Sequence, residues 1–209
     1  MSTTPRAVFV NLDADRSVRA LYETPEVAGA AVRFSLTQSD GLEPGIALVW
    51  SAEPGGYELE AALGWRRPDG GDEPGGDVLH GSVSLLAAFG ANATIAGGTF
   101  ALDDAAVDDP DFLYLKLGYA TAALSALGTT SFSIDHFLGS NNPTFAAADG
   151  ALPRARSVGA ALVQAIDALS TDLYLGARHY AVEDVHVDGA PVADPDDLLA
   201  VLAGARVRF

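Results

Sequence analysis

The amino-acid sequence predicts an all-β fold, an antiparallel transmembrane β-barrel of eleven or twelve strands. Two observations lead to this prediction. Short segments with period-two patterning follow one another along the chain, and their connections alternate between short and long. Side chains of a strand point alternately to opposite faces, so this patterning gives each strand one apolar and one polar face. In a membrane barrel these faces meet lipid and lumen.

Residues 198–209 (LLAVLAGARVRF) show the pattern most clearly. One face of a strand here carries aliphatic side chains and ends on Phe209, and the other carries Arg206 and Arg208. The alternative is an amphipathic helix, with the acidic run at residues 194–197 as its N-cap and first turn. The rest of the chain favours the strand.

Eleven segments with strand patterning are present, and they begin near residues 16, 27, 44, 56, 78, 91, 111, 129, 156, 171 and 198. Short connections are expected at residues 24–28, 52–55, 89–91 and 164–170, and long ones at 66–77, 102–110, 139–155 and 181–198. The connection at 39–43 is a short exception. Short turns at one end and long loops at the other are typical of outer-membrane barrels, whose long loops are extracellular.

The composition narrows the class of protein. The chain has 209 residues, no cysteine, 28 acidic and 12 basic side chains, and a net charge of −16, which argues against nucleic acid as a partner. Fifteen of the acids lie in the Gly/Pro-rich stretches 66–77, 102–111 and 181–198, which are expected to be exposed loops. No apolar run approaches the roughly 20 residues of a membrane-spanning helix. The N-terminus shows no signal peptide, so an outer-membrane protein would start upstream of it or be processed.

Residues 17–32 (SVRALYETPEVAGAAV) resemble the V-R-Y-[DE]-[ST]-P-x-F-x-G strand-turn-strand motif of Gram-negative general porins. The match keeps Tyr22, Glu23, Thr24, Pro25 and Gly29, but it has two inserted residues, Ala20 and Leu21, and Val27 in place of the usual aromatic residue. Stretches similar to that family's later strands follow in order at residues 112–119, 127–135, 163–180 and 201–209. The resemblance implies strands six to sixteen of a sixteen-stranded barrel, that is, its C-terminal two-thirds.

On this interpretation residues 16–209 form the porin-like β-barrel region, and residues 1–15 are an N-terminal segment. In the porin family, that segment would correspond to the end of the loop that folds into the pore. Alternatively, residues 7–12 (AVFVNL) form one more short strand, which makes twelve strands and a smaller closed barrel.

The alternation predicts ten charged side chains on the lumen face. These pore-lining residues are Arg19, Arg33, Glu58, Glu60, Lys116, Asp135, Asp172, Arg178, Arg206 and Arg208. Rows of opposite charge in a lumen orient solutes and set ion preference. The alternative is that they are merely polar strand faces held in ion pairs. A one-residue error in register would reverse each assignment.

The resemblance implies a channel for passive diffusion of small hydrophilic solutes and ions, located in the outer membrane and without a cofactor. It also implies contact with outer-membrane lipid, assembly as a homotrimer, and recognition of the terminal Phe209 by the outer-membrane insertion machinery. Two alternatives stay open. One is a soluble or membrane-docked β-barrel that binds an apolar ligand, and the other is a truncated porin without activity of its own.

No enzymatic activity is expected. The sequence contains no phosphate-binding loop, no dinucleotide-binding glycine motif and no G-x-S-x-G motif. Metal-capable side chains cluster only at His179, Glu183, Asp184, His186 and Asp188. Their spacing matches no zinc pattern, so we interpret them as part of a solvated loop rather than a metal site.

Overall fold

The structure, a computed structural model, describes residues 18–38, 41–68, 75–104, 108–141, 154–184, 186–187, 190–191 and 196–208. One antiparallel sheet is formed by β1 (Val18–Glu23), β2 (Ala30–Gln38), β3 (Leu42–Ala52), β4 (Tyr57–Arg66), β5 (Gly76–Ala87), β6 (Ala91–Leu102), β7 (Asp111–Thr121), β8 (Thr130–Ser140), β9 (Arg154–Ile166), β10 (Thr171–Glu183) and β13 (Leu198–Val207). A separate two-stranded pair joins β11 (His186–Val187) to β12 (Ala190–Pro191).

The sheet is a meander in which each strand pairs with its neighbours along the chain, and β1 and β13 form its two edges. Its eleven strands confirm the number expected from the sequence. Each strand begins within three residues of its expected start, and the described part of β1 has six residues. The sheet is open between its edges in the described part of the chain. The all-β, antiparallel class is therefore confirmed.

The helical alternative for the C-terminal stretch is wrong. Leu198–Val207 is a ten-residue strand, and each of its residues faces a partner in β10. Its aliphatic side chains, among them the β-branched Val201 and Val207, suit a pleated strand that pairs along its whole length with a neighbouring strand. The preceding acidic residues Asp196 and Asp197 are described as irregular chain and begin no helix.

The connections sort to two ends of the sheet. At the short-connection end lie residues 24–29, 53–56, 88–90, 122–129 and 167–170, and at the long-connection end lie 39–41, 67–75, 103–110, 141–153 and 184–197. The alternation is confirmed, with 39–41 as a short exception at one end and 122–129 as a longer one at the other. In the tight turn before β6, Gly90 has φ 96°, and an added Cβ would lie 1.9 Å from the Ala120 carbonyl oxygen. Only glycine fits this close approach.

The structure differs from the sequence expectation in one loop. Residues 181–198 were expected to form a single exposed loop, but β10 continues to Glu183, and the short pair of β11 and β12 lies within the connection. Within the described residues, no helix has the length and apolar character needed to cross a bilayer.

Candidate functional site

The register divides the side chains of the sheet between two faces. Paired residues share a face in antiparallel strands, so each strand's alternation can be followed across the whole sheet. On this basis nine of the ten projected pore-lining residues lie on one face, here called the polar face, and Arg208 continues the alternation just beyond β13. They are Arg19, Arg33, Glu58, Glu60, Lys116, Asp135, Asp172, Arg178 and Arg206.

The opposite face, here called the apolar face, carries large hydrophobic side chains on every strand. One from each strand, in chain order, is between 42% and 65% exposed: Tyr22, Phe34, Leu48, Leu63, Val83, Ile95, Leu115, Ile134, Val158, Leu175 and Val201. Soluble monomers rarely expose an apolar patch that continues over so many strands. An exposed apolar surface of this extent is typical of a face that contacts a membrane or another protein.

Most aromatic side chains on the apolar face collect at the short-connection end, whereas Trp65 lies one residue from the long-connection end of β4. Tyr22, Trp50, Tyr57, Tyr119 and Phe132 each lie within three residues of a strand end at this side of the sheet. Tyrosine and tryptophan combine an apolar ring with a polar atom, and they are enriched where a membrane meets water.

Charged side chains occupy the other margin of the apolar face. Asp77, Asp111, Arg154, Arg156 and Glu183 lie at the long-connection ends of their strands. Arg156 Nη2 lies 2.7 Å from Glu183 Oε1. Between these charges and the aromatic row the apolar face is largely aliphatic, with His136 and His179 as polar exceptions on either side of Val158.

One register row of the polar face carries polar side chains across seven strands. Reading from β3 to β10 and omitting Gly159 on β9, the row contains Ser51, Glu60, Ser84, Thr94, Lys116, Asp135 and Arg178. The hydroxyls of Ser84 and Thr94 are hydrogen-bonded at 3.0 Å. Hydroxyls and charges side by side make this part of the polar face suited to water and hydrophilic solutes.

Asp135 and Arg178 form an ion pair on this row. Arg178 Nη2 donates to Asp135 Oδ2 at 2.8 Å, and Nη1 donates to Ser157 Oγ at 3.0 Å. The two partners stand on β8 and β10, and Gly159 lies between them on β9. A Cβ at that position would lie 2.6 Å from Arg178 Nη2, so the pair depends on the glycine.

Asp172 holds two arginines at the short-connection end of the polar face. Its buried carboxylate accepts hydrogen bonds from Arg206 Nε at 3.1 Å and Nη2 at 2.7 Å, and from Arg208 Nη2 at 2.6 Å. The arginine side chains are 70% and 60% exposed. This group ties the edge strand β13 to β10, and it leaves one positive charge in excess.

The remaining predicted pore-lining residues differ in whether they form ion pairs. Arg33 forms an ion pair with Glu23 of β1. Arg19, Glu58, Glu60 and Lys116 make no ion pair with another residue of the described ranges. Four of the six predicted cations are therefore held by carboxylates.

The sequence analysis missed three charged residues of the polar face, Glu23, Glu43 and Arg66. All three stand near strand ends, and Glu43 and Arg66 fall in stretches that were expected to be connections. Glu43 is buried, and its Oε2 lies 3.8 Å from Arg66 Nη1. Extending the expected β3 by one residue at its start would have included Glu43, and extending the expected β4 by one residue at its end would have included Arg66.

The polar face is not polar throughout. Near the long-connection end, Val78, Phe100 and Phe137 form a buried cluster, and Phe112 stacks on Phe137 with ring centroids 6.0 Å apart. A second cluster joins Ala155, Tyr180 and Val182 to Leu198 and Ala200. These clusters are the hydrophobic core of the described part of the sheet.

Ion pairs also join chain segments at the long-connection end of the sheet. Arg67 Nη1 lies 2.7 Å from Asp77 Oδ2, and its Nη2 lies 3.1 Å from Asp103 Oδ1. The hydrogen bond to Asp77, together with the charge of Asp103, raises the pKa of the Arg67 guanidinium. The indole of Trp65 also donates to Asp77 Oδ1, at 3.0 Å. Arg67 follows β4, Asp77 lies at the start of β5, and Asp103 follows β6. The ion pairs therefore link the connection after β4 to β5 and to the connection after β6.

Three of the five metal-capable side chains, His179, Glu183 and Asp184, are described, and each makes another contact. His179 Nε2 lies 3.0 Å from Asp197 Oδ2, Glu183 pairs with Arg156, and Asp184 Oδ2 lies 4.0 Å from Arg154 Nε. In the described ranges, no three His, Cys, Asp or Glu residues are grouped as metal ligands. Asp188 and Phe209 lie outside the described residues, as do residues 1–17.

Comparison with known proteins finds no match: no family model, no curated protein and no solved structure is similar to this chain. The resemblance to general porins therefore stays a prediction from the quoted motifs, and the fold is described from the structure alone.

Proposed function

We propose that the chain forms the wall of a porin-like channel for passive diffusion of small hydrophilic solutes and ions across an outer membrane. The observation that carries the proposal is the separation of the two faces over all eleven strands. A largely aliphatic apolar face is suited to lipid, and a polar face with charged and hydroxyl side chains is suited to a water-filled path.

The dimensions of the strands support a membrane location. Most strands have ten to thirteen residues, and a tilted strand needs roughly 9–11 residues to cross a bilayer. The apolar face is bounded by an aromatic row at the short-connection end and by charges at the other. An outer-membrane barrel has short periplasmic turns, long extracellular loops and aromatic residues at both membrane–water interfaces, and the aromatic row at the short-connection end corresponds to the periplasmic one.

The water-filled path would run along the register row of Glu60, Lys116, Asp135 and Arg178. The apolar clusters around Phe137 and Tyr180 occupy the polar face near the long-connection end. The path would therefore be most polar between these clusters and the short-connection end. By resemblance, we expect insertion by the outer-membrane machinery and assembly as a homotrimer.

Planar-bilayer recordings with refolded protein test the proposal. We expect stepwise, ohmic conductance increases. Insertion without conductance would contradict a channel, and a protein that stays monodisperse in water without detergent would favour a soluble binding module instead.

Two adjacent substitutions on β6 provide a matched control. Ile95→Arg places a charge on the apolar face, where it costs about 2–4 kcal/mol at mid-bilayer, so membrane insertion should fail. Thr94→Arg places the same charge on the polar face, so insertion should persist and only the conductance should change. Equal effects of the two variants would overturn the assignment of the faces.

A further inference from the structure

A pocket of about 410 Å³ opens on the polar face across strands β1 to β5. Its floor is a register row of mostly small side chains, among them Ala31, Ala62 and Ser82. Residues with longer polar side chains, Arg33 and Glu60 among them, line its sides. Ligand pockets in proteins are of roughly 300–1,000 Å³, so this one has room for a small organic molecule.

Glu60 stands on the side of the pocket nearer the short connections, between two serines. Its register partners are Ser51 on β3 and Ser84 on β5. Directly opposed side chains have Cβ atoms roughly 4.5–5.5 Å apart, so a molecule bound to the carboxylate can also reach both hydroxyls. The hydroxyl of Ser84 also bonds Thr94, and a hydroxyl has the capacity for further hydrogen bonds. Glu60 is exposed and forms no ion pair with another residue of the described ranges, so its charge is available to a ligand.

The charged groups that line the pocket favour a cation. Arg33 lies on the side nearer the long connections, where Glu23 holds it in an ion pair. This pair is neutral as a unit, so the charge of Glu60 is left uncompensated. Glu26, in the connection after β1, adds a second carboxylate to the lining. A positively charged group is therefore attracted to the pocket, and an anion is repelled.

We propose that this pocket binds small hydroxylated organic cations of the amino-sugar type, and that such molecules are preferred solutes of the channel. The ammonium group donates a charge-assisted hydrogen bond to the Glu60 carboxylate. The hydroxyls of the solute exchange hydrogen bonds with Ser51, Ser82 and Ser84, which a simple inorganic cation does not use. The preference among solutes rests on the proposed function, because it requires the polar face to line a water-filled path. The binding itself rests on the pocket alone.

A ligand-observed NMR titration of the full refolded chain in detergent tests the pocket, because it detects weak binding and does not depend on conductance. Glucosamine with its amine protonated is the probe, and glucose is the matched neutral sugar, with a hydroxyl in place of the ammonium group. Glu60→Gln removes the charge and keeps the shape of the side chain. Glu58→Gln is the control variant, because Glu58 lies on the same face of the same strand but does not line the pocket. Both side chains are exposed, so the fold should persist, and circular dichroism checks it.

We expect saturable glucosamine binding that weakens about tenfold in Glu60→Gln, where a hydrogen bond to a charged group is lost, and that is unchanged in Glu58→Gln. Glucose should bind the parent chain about tenfold more weakly than glucosamine. The absence of saturable binding, equal affinity for the two sugars, or equal losses in the two variants would each overturn the proposal. Planar-bilayer recordings separate it from the proposed function. Conductance without glucosamine binding would overturn the pocket and leave the channel, whereas binding without conductance would overturn the channel and leave the pocket.

Discussion

Asp135 on β8 and Arg178 on β10 form an ion pair that passes over Gly159 of the intervening strand β9. Arg178 Nη2 lies 2.6 Å from Asp135 Oδ1, and an added Cβ on Gly159 would lie 2.7 Å from Asp135 Oδ2. Three consecutive strands of the polar face are therefore connected by one contact that requires the absence of a side chain. The carboxylate side chain is 11% exposed, so the contact is partly shielded from water.

Replacing this glycine should destabilise the sheet. Gly159→Ala displaces the ion pair, and loss of a hydrogen bond to a charged group costs about 1.5–3 kcal/mol of unfolding free energy. Gly176→Ala on β10 is the matched control, because its Cβ would meet nothing closer than the Ala160 carbonyl oxygen at 3.7 Å. The control should stay within about 0.5 kcal/mol of the parent. Urea unfolding in detergent measures both, and equal effects would contradict the described geometry.

Two phenylalanines on β8 should differ in their contribution to stability. Phe137 is 4% exposed in the cluster on the polar face, whereas Phe132 is 43% exposed on the apolar face. Phe137→Ala leaves a cavity among packed side chains, and we expect a loss of about 3–5 kcal/mol. Phe132→Ala should cost less than half as much. Unfolding free energies in the same detergent test the difference, and a larger loss for Phe132 would show that the buried cluster is misplaced.

Ion selectivity should be weakly cationic at low salt and should fade as the salt concentration rises. The acidic stretches lie mainly in the long connections, where they raise the local cation concentration. Arg33, Arg178, Arg206 and Arg208 are held by carboxylates, which limits their attraction for anions. Salt screens the remaining charges. Reversal potentials in a KCl gradient measure the preference at each ionic strength.

A strong anion preference at low salt would contradict this expectation. Asp172→Asn provides an internal comparison, because it removes the carboxylate that Arg206 and Arg208 share. The variant should shift the reversal potential toward anions.

Removing the terminal Phe209 should reduce assembly of the protein in cells. By resemblance to outer-membrane barrels, an aromatic residue at the end of the last strand is part of the signal that the insertion machinery recognises. Phe209→Tyr keeps the aromatic ring and serves as the control. Surface levels measured by whole-cell proteolysis should fall for the deletion alone. Unchanged levels after deletion would count against an outer-membrane location.

The features that the sequence predicted correctly depend on local patterning. Period-two alternation located the strands and placed Lys116 and Arg178 on the same face, because a strand's pleat fixes side-chain direction from residue to residue. The ion pairs could not be predicted in this way. The contact between Asp135 and Arg178 depends on the register of three strands, and the cluster around Phe137 depends on residues far apart in sequence. Glu23 and Glu43 were missed because strand ends carry the weakest patterning.

Thiol labelling at two adjacent positions tests most directly whether the two faces meet lipid and water. Leu115→Cys and Lys116→Cys would be made separately on β7, refolded into lipid vesicles and treated with a water-soluble maleimide. The account predicts rapid labelling at position 116 and protection at position 115, because the neighbouring side chains point to opposite faces. Equal labelling, or faster labelling at position 115, would contradict it.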